Sequence, residues 1–176
     1  MDKDERISRA VGYFHQGYNC AQSVCAAFAD LYGLTEQQAL RVSASFGGGI
    51  GRMRGTCGAA CGMFLLAGLD CGATRGDDRE GKAHNYAVVQ QLASQFRQAC
   101  GSLVCAELLG LVKPGETPET QHLASDPQPE ARTEAYYRKR PCVQMVREAA
   151  SIFADYFIAT HQPVSPRELL TPNDMA

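Results

Sequence analysis

Apolar residues recur every three to four positions along nearly the whole chain, whereas stretches in which Val, Ile or Thr alternate every second position are few. A repeat of three to four places apolar side chains on one face of an α-helix. The chain has 176 residues, of which 45% are hydrophobic, enough for one buried core and short enough that no second domain is expected. We therefore predict an all-α, single-domain multi-helix bundle over residues 1–176, with its core in about residues 4–112 and 140–160.

Local start and stop signals define the helix boundaries. Asn19 is a favourable N-cap, Thr35 and Gln38 have the spacing of a capping box, and Gly33 is a typical stop. The predicted helices span residues 4–15, 19–32, 35–46, 57–69, 82–99, 102–109 and 142–159. Four prolines interrupt residues 113–139, which we predict to be a polar surface loop.

A glycine-rich segment joins the third and fourth predicted helices, and it reads FGGGIGRMRGTC from Phe46 to Cys57. The unpaired N–H groups at a helix start favour a thiolate over a thiol, and Arg52 and Arg54 are expected to strengthen this effect at Cys57. No strand precedes the segment, and its spacing matches neither the dinucleotide-binding nor the Walker motif. The segment therefore indicates a reactive or metal-bound Cys57 rather than a nucleotide site.

The glycines of this segment have two interpretations. Because glycine lacks a Cβ atom, the loop can bring backbone N–H groups against an anion or against the sulfides of a cluster. Alternatively, the glycines only turn the chain between two closely packed helices. On the first interpretation, the candidate cofactor-binding residues are Gly47, Gly48, Gly49, Gly51 and Gly58.

Charge and hydropathy exclude several classes of partner. The formal net charge is -2, and the basic residues are spread along the chain, so we predict no nucleic-acid binding and no attraction to an anionic membrane. The longest apolar run covers about 13 residues, too few to span a bilayer, so we predict no membrane insertion. The first residues lack the apolar stretch of a secretory signal, and a cytoplasmic location is therefore expected.

Cysteine is abundant for a protein of a reducing compartment. The eight cysteines are Cys20, Cys25, Cys57, Cys61, Cys71, Cys100, Cys105 and Cys142. Cytosolic thiols stay reduced, so metal ligation or redox chemistry explains this number better than a framework of structural disulfides. A free cysteine can also act as a small apolar filler of the core, and this interpretation is favoured for Cys25, Cys61 and Cys100.

Four cysteines lie at or near predicted helix starts, and these are Cys20, Cys57, Cys105 and Cys142. If the four starts meet, their positive ends can offset the negative charge of thiolates that bind a metal or a cluster. Paired C-x-x-C motifs are absent from the sequence, which argues against a zinc ribbon and against a bacterial ferredoxin. Any such site has scattered ligands, and it must be assembled by the tertiary fold.

Five short motifs carry a resemblance to a known family. They are NCAQSV from Asn19, FGGGIGRM from Phe46, CGAACG from Cys57, GSLVC from Gly101 and RPC from Arg140. In this order they resemble the C_GCAxxG_C_C family of redox-active proteins, and CGAACG fits the CGAxxG signature at every fixed position. The resemblance covers about residues 19–156.

The resemblance implies a small helical domain in which four characteristic cysteines hold an iron–sulfur cluster or another redox metal centre. These cysteines correspond to Cys20, Cys57, Cys105 and Cys142, which are the predicted metal ligands. The sequence departs from the family pattern in two ways. The stretch between Cys105 and Cys142 is longer, and four thiols are additional, namely Cys25, Cys61, Cys71 and Cys100.

Three functions remain open from the sequence. The leading hypothesis is an electron-transfer or redox-sensing protein with an iron–sulfur cluster on the four cysteines, acting with a redox partner protein and considered also as a homodimer. The second is a metal-free thiol–disulfide oxidoreductase in which Cys57 is the attacking thiolate and has a low pKa. The third is a structural zinc module with a closed four-thiolate site.

Overall fold

The computed structural model describes residues 1–116 and 126–161. Residues 117–125 and 162–176 lie outside this description. They include Pro118 of the predicted loop and the C-terminal residues that follow the last predicted helix. The described residues form helices and no strands, which confirms the all-α prediction. The eight α-helices are α1 (Lys3–His15), α2 (Cys20–Phe28), α3 (Glu36–Ser43), α4 (Gly58–Cys71), α5 (Arg79–Cys100), α6 (Cys105–Leu108), α7 (Glu134–Lys139) and α8 (Cys142–Thr160).

Side-chain caps start several of these helices where the sequence predicts them. Asn19 and Gln22 form a capping box at the start of α2, and Thr35 and Gln38 form another at α3. Both helices tighten into 3-10 turns at their C-terminal ends, Ala29–Tyr32 after α2 and Ala44–Phe46 after α3. Local hydrogen bonding therefore accounts for most of the helix boundaries in this half of the chain.

Helix α2 lies at the centre of the bundle. It packs against α1, α3, α4 and α8, while α5 packs against α4 and α8. Phe28 of α2 and Phe153 of α8 are fully buried, with ring centroids 5.1 Å apart in an edge-to-face arrangement. The core thus joins helices from both ends of the described chain, and it leaves the start of α2 beside the start of α4.

Two glycines bring α2 and α4 into close contact. A Cβ atom on Gly62 would lie 2.8 Å from the Ala21 carbonyl oxygen, and one on Gly58 would lie 2.8 Å from the Phe46 carbonyl oxygen. Real side chains do not tolerate such distances, so Gly62 lets α4 approach α2, and Gly58 lets the start of α4 approach the turn at Phe46. At this point the CGAACG motif serves the packing of two backbones.

The second half of the chain departs from the sequence-based boundaries. No predicted helix covers residues 70–81, but Asp70 and Cys71 belong to α4, and α5 begins at Arg79 after the Asp78 N-cap. The helix predicted from residue 102 begins later, because Val104 is the N-cap of α6. The hydroxyl of Ser102 instead accepts a hydrogen bond from the Val104 N–H.

The predicted loop over residues 113–139 contains a helix, so that part of the prediction is wrong. Helix α7 begins after Thr133, whose hydroxyl accepts a hydrogen bond from the Tyr136 N–H. Tyr137 packs edge-to-face against Phe14 of α1, with ring centroids 5.8 Å apart. This tertiary packing stabilises a six-residue helix that has little stability alone.

No helix among the described residues combines the length and the apolar character needed to cross a membrane.

Candidate functional site

The structure brings the four predicted ligand cysteines into one cavity of about 300 Å³. Each comes from a different helix start. Cys20, Cys105 and Cys142 are the first residues of α2, α6 and α8, and Cys57 is the N-cap of α4. The positive ends of four helices therefore surround the cavity, although α6 is short and its partial charge is small.

Two close approaches position Cys20 and Cys57. The missing side chain of Gly58 leaves room for the Cys20 Cβ atom, which lies 3.3 Å from the position of a Cβ on Gly58. The amide of Asn19 donates to the Ala44 carbonyl at 2.8 Å, which ties the start of α2 to the end of the α3 segment. Gly47 packs directly on the Asn19 side chain. The Cys20 and Cys57 thiols therefore enter the cavity from adjacent backbones.

A short backbone ladder positions Cys57 beside Cys105. Thr56 and Val104 form an isolated antiparallel bridge. The Cys57 N–H donates to the Leu103 carbonyl at 2.7 Å, and the Cys105 N–H donates to the Gly55 carbonyl at 2.6 Å. Gly49 lies against the Cys105 Cβ atom, because a Cβ on Gly49 would lie only 2.6 Å from it. Hydrogen bonding thus fixes two ligands that are far apart in sequence.

The glycine-rich loop adopts an unusual backbone conformation. Ile50, Arg52 and Arg54 have φ values of 61°, 64° and 65°, in the left-handed region that side chains other than glycine rarely adopt. Each such residue costs about 1–3 kcal/mol, and the cost is highest for a β-branched residue such as Ile50. Strain of this kind concentrates at functional sites, and here it places Arg52 and Arg54 on the cavity wall.

The predicted cofactor-binding glycines fall into different positions. Gly47, Gly48, Gly51 and Gly58 line the cavity, whereas Gly49 does not and packs behind Cys105. The Gly51 N–H already donates to the Ser45 carbonyl at 2.7 Å. The N–H groups of Gly47 and Gly48 have no hydrogen-bond acceptor among the residues that the structure describes. Among the loop glycines that line the cavity, these two therefore have N–H groups available to a ligand.

Burial has the largest effect on the pKa of the Cys57 thiol. Burial raises its pKa to about 12, although the N–H groups of Ala60 and Ala59 act in the opposite direction. Burial likewise raises the pKa of the Cys105 thiol, against the lowering effect of Arg54. The expectation of a low pKa at Cys57 is therefore wrong for the metal-free protein. The physical cause is that Cys57 is only 4% exposed, so the loss of hydration is the largest effect on its pKa.

The acidic thiol of the cavity is Cys142. A hydrogen bond with Cys20, and then the charges of Arg140, Arg132 and Arg54, lower its pKa to about 7 against the effect of burial. The same hydrogen bond raises the pKa of Cys20 well above its usual value, because a Cys142 thiolate keeps the proton on Cys20. Cys142 is therefore the more acidic of these two cavity thiols.

Arg132, Tyr136 and Arg140 also line the cavity, and the sequence gives no reason to single out Arg132. For residues 136–140 the sequence allows a solvated basic turn, which it favours, or a group that leans over the site. In the structure both guanidinium groups lie near the Tyr136 ring, and both line the cavity. Arg132 precedes α7 and Arg140 follows it in extended backbone, so no helical periodicity in the sequence signals this arrangement.

The remaining four cysteines do not contribute to this cavity. Cys25 and Cys61 are buried and line a second, apolar cavity of about 550 Å³ between α3 and α4. Cys71 and Cys100 are half-buried, and so are Cys20 and Cys142. The Cys71 sulfur contacts the Asn85 amide at 3.4 Å, beside the α4 backbone. The structure thus separates the four thiols at helix starts from the four additional ones.

The four thiols line the cavity wall rather than surround one point. Among the described residues, no three or more His, Cys, Asp or Glu side chains are arranged closely enough to hold a single metal ion. The cavity volume is roughly ten times the share of one liquid water molecule. The donor set is all thiol, which suits soft metals and iron–sulfur clusters, and the space suits a group larger than one ion.

Comparison with known proteins agrees with the motifs. The model of the family described as Putative redox-active protein (C_GCAxxG_C_C) matches residues 18–156. No curated protein and no solved structure matches the chain. The matched range includes the four cysteines of the cavity and the glycine-rich loop, and it confirms the resemblance seen in the sequence. The chain therefore belongs to the C_GCAxxG_C_C family of redox-active proteins.

Proposed function

We propose that this redox-active protein holds an iron–sulfur cluster on Cys20, Cys57, Cys105 and Cys142, for electron transfer or redox sensing in the cytoplasm. One observation carries the proposal: four thiols, each from a different helix start, line the same cavity. Such a cluster, when bound, supplies a one-electron couple whose potential depends on burial, charge and hydrogen bonds to sulfur.

The residues of the chain have three tasks in this proposal. The helix starts and the arginines of the cavity offset the negative charge of the ligating thiolates. The N–H groups of Gly47 and Gly48 are available to hydrogen-bond to sulfur. Burial of Cys57 and Cys105, which are 4% and 8% exposed, keeps water from the site.

Zinc is the less favoured cofactor. A structural zinc ion needs four ligands around one point at about 2.3 Å. The described residues offer no such grouping, and a cavity of about 300 Å³ is larger than one ion requires. A zinc module therefore requires the walls to close, whereas a cluster makes use of the existing separation.

Anaerobic purification tests the proposal. We expect a brown protein whose visible absorption is accompanied by matched amounts of iron and acid-labile sulfide. A protein with stoichiometric zinc and no sulfide would support the zinc module instead. Absence of both metals after anaerobic reconstitution with iron and sulfide would contradict ligation by the four cysteines.

A second function is favoured by two thiols that line the same cavity, Cys20 and Cys142, of which Cys142 has a lowered pKa. In a metal-free oxidoreductase, the Cys142 thiolate attacks one sulfur of a substrate disulfide and releases the other as a thiolate. Cys20 then loses its proton and attacks the Cys142 sulfur of the mixed disulfide, giving a Cys20–Cys142 disulfide and the second substrate thiolate. The Cys20 proton passes to one substrate thiolate, and water supplies the proton for the other. Mass spectrometry of protein oxidised by glutathione disulfide would detect this pair, and its absence would contradict this mechanism.

A further inference from the structure

Arg132 carries a buried hydrogen-bond donor without an acceptor. Its Nη1 atom is buried and has no partner among the described residues, whereas its Nη2 atom donates to the Tyr18 carbonyl at 3.1 Å. A buried donor on a charged group is costly when it is unpaired, at least about 1–3 kcal/mol. Arg132 also lines the four-cysteine cavity, although Nη1 itself lies behind the accessible wall.

The guanidinium group of Arg132 is held rigidly. Its Cζ atom lies 4.6 Å from the centroids of both the Phe14 and the Tyr136 rings. The Cζ atom of Arg140 lies 5.1 Å from the same Tyr136 ring. Two positive groups are thus anchored to one aromatic ring at the cavity wall, and little side-chain entropy remains to be lost when a ligand binds.

The cavity also carries excess positive charge. Four arginines line it, namely Arg52, Arg54, Arg132 and Arg140. Glu130 is the only carboxylate among the described lining residues, and it pairs with Arg140. Arg52 donates to the Asp126 backbone carbonyl at 2.7 Å, an acceptor that carries no net charge. The side chains on the wall therefore favour an anionic guest.

We infer that the four-cysteine cavity binds a small oxyanion, held by the guanidinium groups of Arg132 and the neighbouring Arg140. The planar guanidinium fork matches the oxygens of a carboxylate, phosphate or sulfate group, which is the reason for choosing this class. The anion lies on the Tyr136 side of the cavity, where both arginines also act on Cys142. This inference goes beyond the proposed cofactor and does not require it.

Calorimetric titration of the full-length protein tests the inference. Sodium sulfate, sodium phosphate and sodium acetate serve as separate probes at an ionic strength held constant with chloride. We expect saturable binding of at least one probe. We also expect Arg132→Gln to weaken it by about tenfold or more, because a charge-assisted hydrogen bond is lost. Which probe binds most tightly distinguishes a carboxylate ligand from a tetrahedral oxyanion.

The matched control is Arg138→Gln. Arg138 belongs to the same segment but is 73% exposed, pairs only with Glu134 among the described residues, and does not line the cavity. We expect its anion affinity to equal that of the unaltered protein. If Arg132→Gln fails to fold in thermal unfolding, Arg140→Gln provides the second variant, with a similar loss expected.

Two results would overturn the inference. One is the absence of saturable binding for all three probes, and the other is equal affinity in the unaltered protein and in the folded Arg132→Gln or Arg140→Gln protein. Equal anion affinity together with an altered visible spectrum would assign Arg132 to the cofactor and reject the oxyanion. Iron and sulfide are measured on the same samples, so failure of the cluster proposal is recorded separately.

Discussion

Two cavities lie on either side of the first turns of α4, and each contains a buried cysteine of that helix. Cys57 lines the arginine-rich cavity, while Cys61, four residues later, lines the apolar cavity. Both thiols are kept neutral in the metal-free protein, because burial raises the pKa of Cys57 to about 12 and that of Cys61 to about 11. Although Cys57 and Cys61 are one helical turn apart, their thiols line different cavities.

The difference shows that the neighbours of a thiol, rather than its burial, decide what it can do. Cys57 lies at a helix start, with three other thiols and four arginines on the same wall. Cys61 lies within the helix and shares its cavity with Cys25 and with apolar side chains such as Phe64 and Leu69. Only the first environment can stabilise negative charge when a metal or cluster replaces the protons.

The largest expected effect comes from exchanging the two thiols for hydroxyls in turn. Cys57→Ser should abolish the iron and sulfide content, because it removes a ligand from the four-thiol cavity. Cys61→Ser should keep that content, because its side chain lies in the other cavity. Metal and sulfide analysis of anaerobically purified proteins makes the comparison. Equal cofactor content in both variants would mean that the two cavities are not functionally distinct.

Thiol ionisation in the metal-free protein should distinguish Cys142 from the buried cysteines of α4 in both cavities. Cys142 has a pKa lowered to about 7, so its alkylation by iodoacetamide should rise through about pH 7. Cys57 and Cys61 should react little up to about pH 9, because their pKa values are raised and their thiolates stay rare. Peptide mass spectrometry after short labelling measures each site. Faster labelling of Cys57 than of Cys142 at pH 7 would contradict this order.

The same ionisation predicts the direction of the stability change with pH. The folded-state pKa of Cys142 lies below the ordinary thiol value, so folding favours its thiolate. Its contribution to stability should be present above the ordinary thiol pKa and lost as the pH falls through about 7. Urea unfolding of metal-free Cys142→Ser protein should lack this component, which the unaltered protein shows between about pH 7 and 9.

Glycine substitutions along α4 should have opposite effects on stability. Gly62→Ala should lower the free energy of unfolding by about 1–3 kcal/mol, because the new Cβ would meet the Ala21 carbonyl oxygen at 2.8 Å. Gly68→Ala meets nothing within 4 Å and should raise it by up to about 1 kcal/mol, since alanine favours the helix. Urea unfolding compares both variants. A stabilised Gly62→Ala would show that α2 and α4 can separate at no cost.

The smallest effect is expected at the rim of the apolar cavity. Val42 and Leu69 are 52% and 43% exposed, so Val42→Ser and Leu69→Ser should change the free energy of unfolding by about 0.5 kcal/mol or less. Neither should alter iron or sulfide content, since both side chains lie away from the four-cysteine cavity. Loss of the cofactor in either variant would show that the apolar cavity supports the other one.

Local signals were sufficient to predict much of the fold and the membership of the site. The capping boxes at Asn19 and Thr35 involve residues three positions apart, so their hydrogen bonds can be predicted without knowing the remainder of the chain. The placement of cysteines at helix starts is local in the same sense. Helix α7 was missed because its stability depends on packing against Phe14 of α1, which lies over a hundred residues earlier.

The sequence by itself determined the helical class, most helix starts, the family and the four cysteines that occupy those starts. The tertiary structure alone decided that these starts share a cavity, that Cys142 rather than Cys57 is the acidic thiol, and that Cys61 faces elsewhere. It also decided that Arg132 and Arg140 flank one ring beside the thiols. The physical reason is that burial and charge–charge effects depend on distances between side chains from separate helices, and such distances exist only after the helices pack.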